Sequence, residues 1–213
     1  MAELLEIYDL DGKLLRVAER ETFYSDIKEE FATTGKITEQ VKSIRLLLLN
    51  SKGRIFLQKR SKFKGENPGL YDKTIGGHVP KGYSWEISVI KESSEELGFP
   101  ATVVADEEFD EAVNSTDLTI IGLFKKVDYI SNFKSTRTTL EGNEFLQPFM
   151  TTFYIGYYDG SIKFVDGESS GIEVFSLEEL QDELKQNPEK FTEDIKLMME
   201  RYEKFLIPIT RQK

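Results

Sequence analysis

Three glutamates in the segment KESSEELGF, namely Glu92, Glu95 and Glu96, stand at i, i+3 and i+4. On an α-helix these positions share one face at close range. Three like charges on one turn repel each other unless something positive sits against them. Carboxylates gathered beside the Gly76–Gly77 pair are suitable ligands for a hard, oxygen-seeking ion such as Mg²⁺, or Mn²⁺ in its place. The same residues also read as a solvated acidic helix face, which is the usual meaning of an isolated E-x-x-E-E.

The helix that would carry them is predicted over about Ser84 to Leu97, with Ser84 as N-cap and Gly98 as the stop. Val89, Ile90 and Leu97 give it an apolar side to set against a sheet. Ahead of it, VKSIRLLLLN reads as an apolar strand, SKG (51–53) as a hairpin connection, and RIFLQKR (54–60) as the partner strand. Residues 61–83 read as a loop rich in Gly, Lys and Pro. Further strands are predicted at Ala101 to Ala105, Thr119 to Tyr129, Phe149 to Tyr158 and 162–164, with helices at Leu177 to Lys185 and Thr192 to Phe205. The last has Ile195, Met198, Met199, Tyr202 and Phe205 on a roughly 3.6-residue period. Residues 1–40 form a small β-rich extension: Leu4 to Tyr8 and Lys13 to Val17 around an Asp11-Gly12 turn, then an ambiguous Arg20 to Ala32. The expectation is a mixed α/β (α+β) layered domain over 41–213, with C-terminal helices and the 1–40 extension packed on its core.

Composition narrows the chemistry further. The 213 residues contain no cysteine and one histidine, which removes thiol nucleophiles, disulfides, cysteine-held metals and any two-histidine site within one chain. A net charge of −10 disfavours a nucleic-acid surface, which wants a basic patch. No apolar run reaches the ~18 residues of a membrane span. The acidic opening MAELLEIYDLDGK does not resemble a signal peptide, so the expected compartment is the cytoplasm. For assembly, a homodimer is the default among soluble oligomers.

The order of residues 76–99 resembles the Nudix box. Gly77, Glu92, Glu95, Glu96, Gly98 and Phe99 fall on its gapless frame, while Tyr83 stands where its first glutamate is expected, Lys91 replaces its arginine and Ser93 an aliphatic. Outside the box, an opening E-x-Y-D, then RLLLLNSKGRIFLQKR and NPGLYDKTIGGHV, are similar to the Nudix branch near isopentenyl-diphosphate isomerase. That isomerase needs a catalytic cysteine and several histidines, so the hydrolase-like members of the branch are the better guide.

The resemblance implies an α/β/α sandwich with a mixed β-sheet. It also implies a Mg²⁺-dependent hydrolase acting on a diphosphate linkage in a nucleoside diphosphate derivative or similar small molecule. Glu92, Glu95, Glu96 and the Gly76 carbonyl would then hold the metal. A proton acceptor is also needed. Glu144, where the branch places a substrate-facing glutamate, and Glu168, in the loop before the tail helices, are candidates, as are Glu92 and Glu96 themselves. Lys59 and Arg60, with Gly77 and His78, are the candidate substrate contacts; Lys64 reads rather as a surface cation, and His78 also as a hydrogen-bonding loop residue. Tyr83 and Lys91 favour a rival reading, a Nudix fold kept as a diphosphate-binding or regulatory module without turnover.

Overall fold

A computed structural model describes residues 2–139, 141–163 and 169–210. Strand β3 (Glu39–Leu49) is its centre. Its alternate residues serve two cores. Ile44, Leu46 and Leu48 pack with Val89 and Leu97 from helix α2 (Trp85–Glu96) and its end. Val41, Leu47 and Leu49 pack on the other face. That face is covered by α1 (Arg20–Thr34), α3 (Phe109–Ser115), α4 (Leu177–Gln186) and α5 (Glu193–Tyr202). Both faces of β3 are thus buried, which is why its sequence is a continuous apolar run rather than an alternation. The layers form the expected α/β/α sandwich.

The sheet is mixed. Its main path runs β10 (Ser169–Phe175), β4 (Ile55–Arg60), β3, β9 (Glu144–Tyr157), β8 (Gly122–Thr138), β7 (Ala101–Val103). The β3–β9 and β7–β8 pairs are parallel, and β8 and β9 form a long antiparallel hairpin. On its other edge β3 takes three partners in turn. It pairs with β4 only through Leu48 and Leu49, with β6 (Ile75–His78) from Leu46 back to Ser43, and with β1 (Leu4–Asp9) from Val41 back to Glu39. Strand β4 therefore peels away after two pairs and β6 replaces it. Short β5 (Tyr71–Asp72), bonded to β4, bridges the fork.

Several boundaries differ from the sequence reading. The ambiguous 20–32 stretch is α1, while β1 and β2 (Leu14–Glu19) form the expected hairpin. The 61–83 loop contains β5 and β6; each is so short and glycine-interrupted that periodicity cannot reveal it. Strand β8 starts at Gly122, because 118–120 form a turn, and it runs past Tyr129 to Thr138. Helix α3 and strand β10 had no expectation. Residues 162 and 163 carry no strand, and 164 lies outside the described residues.

A buried ionic cluster closes the fork. Asp194, in the first turn of α5, accepts from Arg45 Nε at 2.9 Å, Lys73 Nζ at 3.0 Å and Ser135 Oγ at 2.6 Å. Asp72 accepts from the same Lys73 Nζ at 3.0 Å, from Arg60 Nη1 at 3.2 Å and from Thr192 Oγ1 at 2.8 Å. The Arg45 and Asp194 side chains are only 2% and 3% exposed. Burial by itself pushes the Asp194 carboxyl up. The nearby Arg45, Lys73 and Arg137, with the Ser135 hydroxyl, outweigh it and hold the group well below the ordinary carboxylate range. A single carboxylate thus fastens α5 to β3, to the β5–β6 turn and to β8.

Truncating one member of such a cluster leaves the others charged and dry. Asp194→Ala is expected to lower unfolding free energy by about 3–5 kcal/mol. Arg16→Ala, which breaks a half-exposed pair with Asp26 and Glu39, should change it by about 1 kcal/mol or less. Urea denaturation of the two variants checks the contrast.

Candidate active site

The fork leaves a cleft of about 530 Å³. One wall is α2. Ser84 caps that helix by accepting from Ile87 N at 3.2 Å, and Gly98 ends it at φ +76, a left-handed conformation that glycine adopts without strain. Ser93, the departure from an aliphatic, is fully buried and donates to the Ile90 carbonyl at 2.7 Å, so its hydroxyl is satisfied in the core. With Val89, Ser93 and Leu97 turned inward, Glu92, Glu95 and Glu96 all line the cleft.

The three glutamates are not equivalent. Glu92 lies against Gly77: a Cβ built there would stand 2.8 Å from Glu92 Cδ, so the glycine is what admits the carboxylate. Burial raises the Glu92 proton affinity, against a lowering by its hydrogen bond with Glu96 and by Lys91. Glu95 is held by Lys91 Nζ at 2.6 Å, with its side chain 58% exposed. The crowding expected from three like charges is therefore relieved locally, by Lys91 on Glu95 and by the Glu92–Glu96 bond. Among the described residues no group of three His, Cys, Asp or Glu side chains is already gathered for a metal. The donor set has the right chemistry for a hard ion, as oxygen ligands in a cleft beside an exposed Gly76, but Glu95 must leave Lys91 to join it.

Cations line the same cleft. Arg60, Lys73, Arg45, Arg137 and Arg20 all reach the cleft. Arg60 is anchored by the Glu66 and Asn67 carbonyls and by Asp72. Gly76 is shaped from this side, since a Cβ there would stand 2.2 Å from Lys73 Cε. His78 lies at the end of β6 with its Nε2 2.8 Å from the Tyr24 phenol oxygen, Oη. Burial, with Arg20, Arg137 and Arg45 nearby, pushes its pKa down to about 3, so the ring is neutral and serves as a hydrogen-bonding strut rather than a cation for phosphate.

Of the sequence candidates, Glu92, Glu95, Glu96, Gly76, Gly77, His78 and Arg60 come together here. Lys59 does not line the cleft; its ammonium sits over the Tyr71 ring at 4.8 Å. Glu144 opens β9 at a neighbouring pocket, away from the acidic wall. Glu168 lies outside the described residues. Arg45, Lys73, Arg137, Arg20 and Tyr24 had not been expected. Arg45 did leave a signal, as a charge inside the apolar run SIRLLLL. Tyr83, in the first glutamate's place, lines the cleft and is 43% exposed.

With the geometry established, comparison with known proteins identifies the family. A model described as "NUDIX domain" matches residues 39–195. An isopentenyl-diphosphate Δ-isomerase of Serratia proteamaculans is 23% identical over 151 residues, 71% of this chain and 70% of the relative. Among solved structures, DR0079 from Deinococcus radiodurans covers 94% of this chain and 99% of its own at 18% identity, with a TM-score of 0.61. A MutT protein from Methanosarcina mazei covers 76% of this chain and 92% of its own at 20% identity, with a TM-score of 0.50. At such identities the structural likeness speaks for the fold.

The raised proton affinity of Glu92 has a stability consequence. Below the ordinary carboxylate range the group is protonated in both the folded and unfolded states and contributes nothing. As pH rises through its raised folded value, ionisation of the buried group costs stability. Glu92→Gln should therefore raise the melting temperature of metal-free protein at neutral pH. The gain should vanish in acid; thermal melts across pH measure it.

Proposed function

This chain belongs to the NUDIX domain family; we propose that it is a hydrolase whose cleft cleaves a diphosphate linkage in a small molecule with the help of Mg²⁺ or Mn²⁺. The observation that carries this reading is that one cleft is lined both by Glu92, Glu95 and Glu96 of α2 and by Arg60 at the end of β4. An acidic wall accepts a cation, a basic wall accepts phosphate oxygens, and a diphosphate bound with a divalent ion needs both.

When bound, the divalent ion polarises a phosphoryl oxygen and lowers the pKa of attacking water. Glu96, with Glu95 once released from Lys91 and with the Gly76 carbonyl, would hold it. Glu92 takes the proton from water, the role for which burial against Gly77 suits it by raising its basicity. Arg60 has its guanidinium fixed by two backbone carbonyls, so it can present remaining donors to a phosphate at little loss of rotational freedom. Lys91 is a point charge where the box has arginine, and it lacks the planar fork that would pin a neighbouring carboxylate. The isomerase chemistry that the resemblance brings to mind would need a catalytic cysteine, and this chain has none.

Phosphate release from a panel of nucleotide sugars, dinucleotides and prenyl diphosphates with Mg²⁺ tests the reading. Glu92→Gln should lower kcat by about 10²–10⁴, the range of a lost general base. Glu96→Gln should raise the Mg²⁺ concentration needed for half-maximal rate, and Arg60→Gln should raise KM. A Glu92→Gln enzyme keeping wild-type kcat would sink the mechanism.

A further inference from the structure

His78 ends a chain of hydrogen bonds that starts in the core. Gln147, on β9 and fully buried, donates from its amide Nε2 to Tyr24 Oη at 3.2 Å. Tyr24 Oη and His78 Nε2 stand 2.8 Å apart. Among the described residues the phenol hydrogen has no acceptor other than that ring nitrogen. Left without it, the hydrogen would be buried and unpaired, which is costly. Nε2 therefore accepts, and the hydrogen of the imidazole sits on Nδ1.

The amide's direction sets this order. Gln147 Oε1 and Arg137 Nε are both buried without a hydrogen-bond partner. Arg137 and Gln147 are diagonal neighbours across the β8–β9 pair. A carbonyl oxygen is the better neighbour for a guanidinium. Reversing the amide would strand both of its hydrogens in the interior instead. On the far side of the ring, Nδ1 has no hydrogen-bond partner among the described residues. It is not enclosed as those two atoms are, so it opens on the cleft that the ring lines.

We propose that Tyr24 and Gln147 are positioning residues that hold His78 as its Nδ1–H tautomer, so that the ring donates a neutral hydrogen bond to a phosphoryl oxygen in the cleft and does not ligate a divalent ion. The inference rests on the diphosphate reading of the cleft. An imidazole nitrogen that carries hydrogen serves an oxygen, and one that carries a lone pair serves a cation. The bond made by the other nitrogen selects between them. The relay thus decides which half of a metal–diphosphate pair the ring meets. It does so without adding a charge to a cleft that already holds Arg20, Arg45, Arg60, Lys73 and Arg137.

The test uses the full-length chain, made without a histidine tag and with ¹⁵N-labelled histidine. His78 is the one histidine, so every imidazole signal belongs to it. At neutral pH, with neither metal nor ligand, the long-range proton–nitrogen correlations should show the Nδ1–H pattern. An Nε2–H pattern overturns the proposal, because a lone pair would then face the cleft. Tyr24→Phe, with its fold verified by a melting curve, should replace the single pattern by exchange between the two tautomers. An unchanged pattern overturns the positioning role. Methylenediphosphonate with Mg²⁺ should shift the wild-type Nδ1 signal, and Tyr24→Phe should weaken its calorimetric binding about three- to tenfold, the loss of one hydrogen bond. Binding that leaves Nδ1 unmoved overturns the donor role and leaves the diphosphate reading standing. No binding to the wild type sinks that reading and the donor role with it, while the ligand-free spectrum still decides the tautomer.

Discussion

The structure depends on a dry carboxylate. Asp194 takes hydrogen bonds from Arg45, Lys73 and Ser135, which reach it from β3, the β5–β6 turn and β8. These elements are far apart in sequence, and none would hold its charge in the interior without the others. A buried charge is tolerable only when paired and fully bonded, so the cluster fixes one relative placement of four elements. That placement keeps open the fork between β4 and β6, and the fork is the cleft.

The cleft's polarity follows from its construction. On the α2 side, helical spacing puts three glutamates on the exposed edge, and Gly77 lets the most buried of them sit directly on β6. On the β4–β5 side, three cations, Arg45, Arg60 and Lys73, share two acids, Asp72 and Asp194. The surplus positive charge, with Arg137 and Arg20, lines the same cleft as the acids. Field lines between two such walls are focused by the low-dielectric surroundings. Burial first, and then Arg20, Arg137 and Arg45, lower the proton affinity of the single histidine, so His78 braces Tyr24 instead of adding another charge.

The N-terminal segment is part of this arrangement. Strand β1 extends the edge of β3 beyond β6, with Leu5 and Ile7 fully buried. Helix α1 then brings Tyr24 to the cleft and lays Ile27 and Phe31 along the neighbouring cavity. A segment that read as a β-rich appendage thus supplies walls to both depressions. No helix among the described residues is long and apolar enough to cross a membrane.

Local patterns determined what could be read directly. The apolar run 41–49, the hairpin at 51–53, the Ser84 cap, the i, i+3, i+4 glutamates and the paired glycines are all set by neighbours within a turn or two. Such interactions need no knowledge of the rest of the chain. The sequence therefore specified the layered fold, helix α2 and the acidic wall. It did not reveal that Lys91 would neutralise Glu95, or that Glu144 would open onto a different pocket. It gave Arg45 only as an anomaly in an apolar strand. Charge pairing and desolvation depend on which residues meet across separations such as the 149 positions between Arg45 and Asp194. The tertiary structure alone decided those meetings, because the energy of a buried charge belongs to its surroundings and not to its place in the chain.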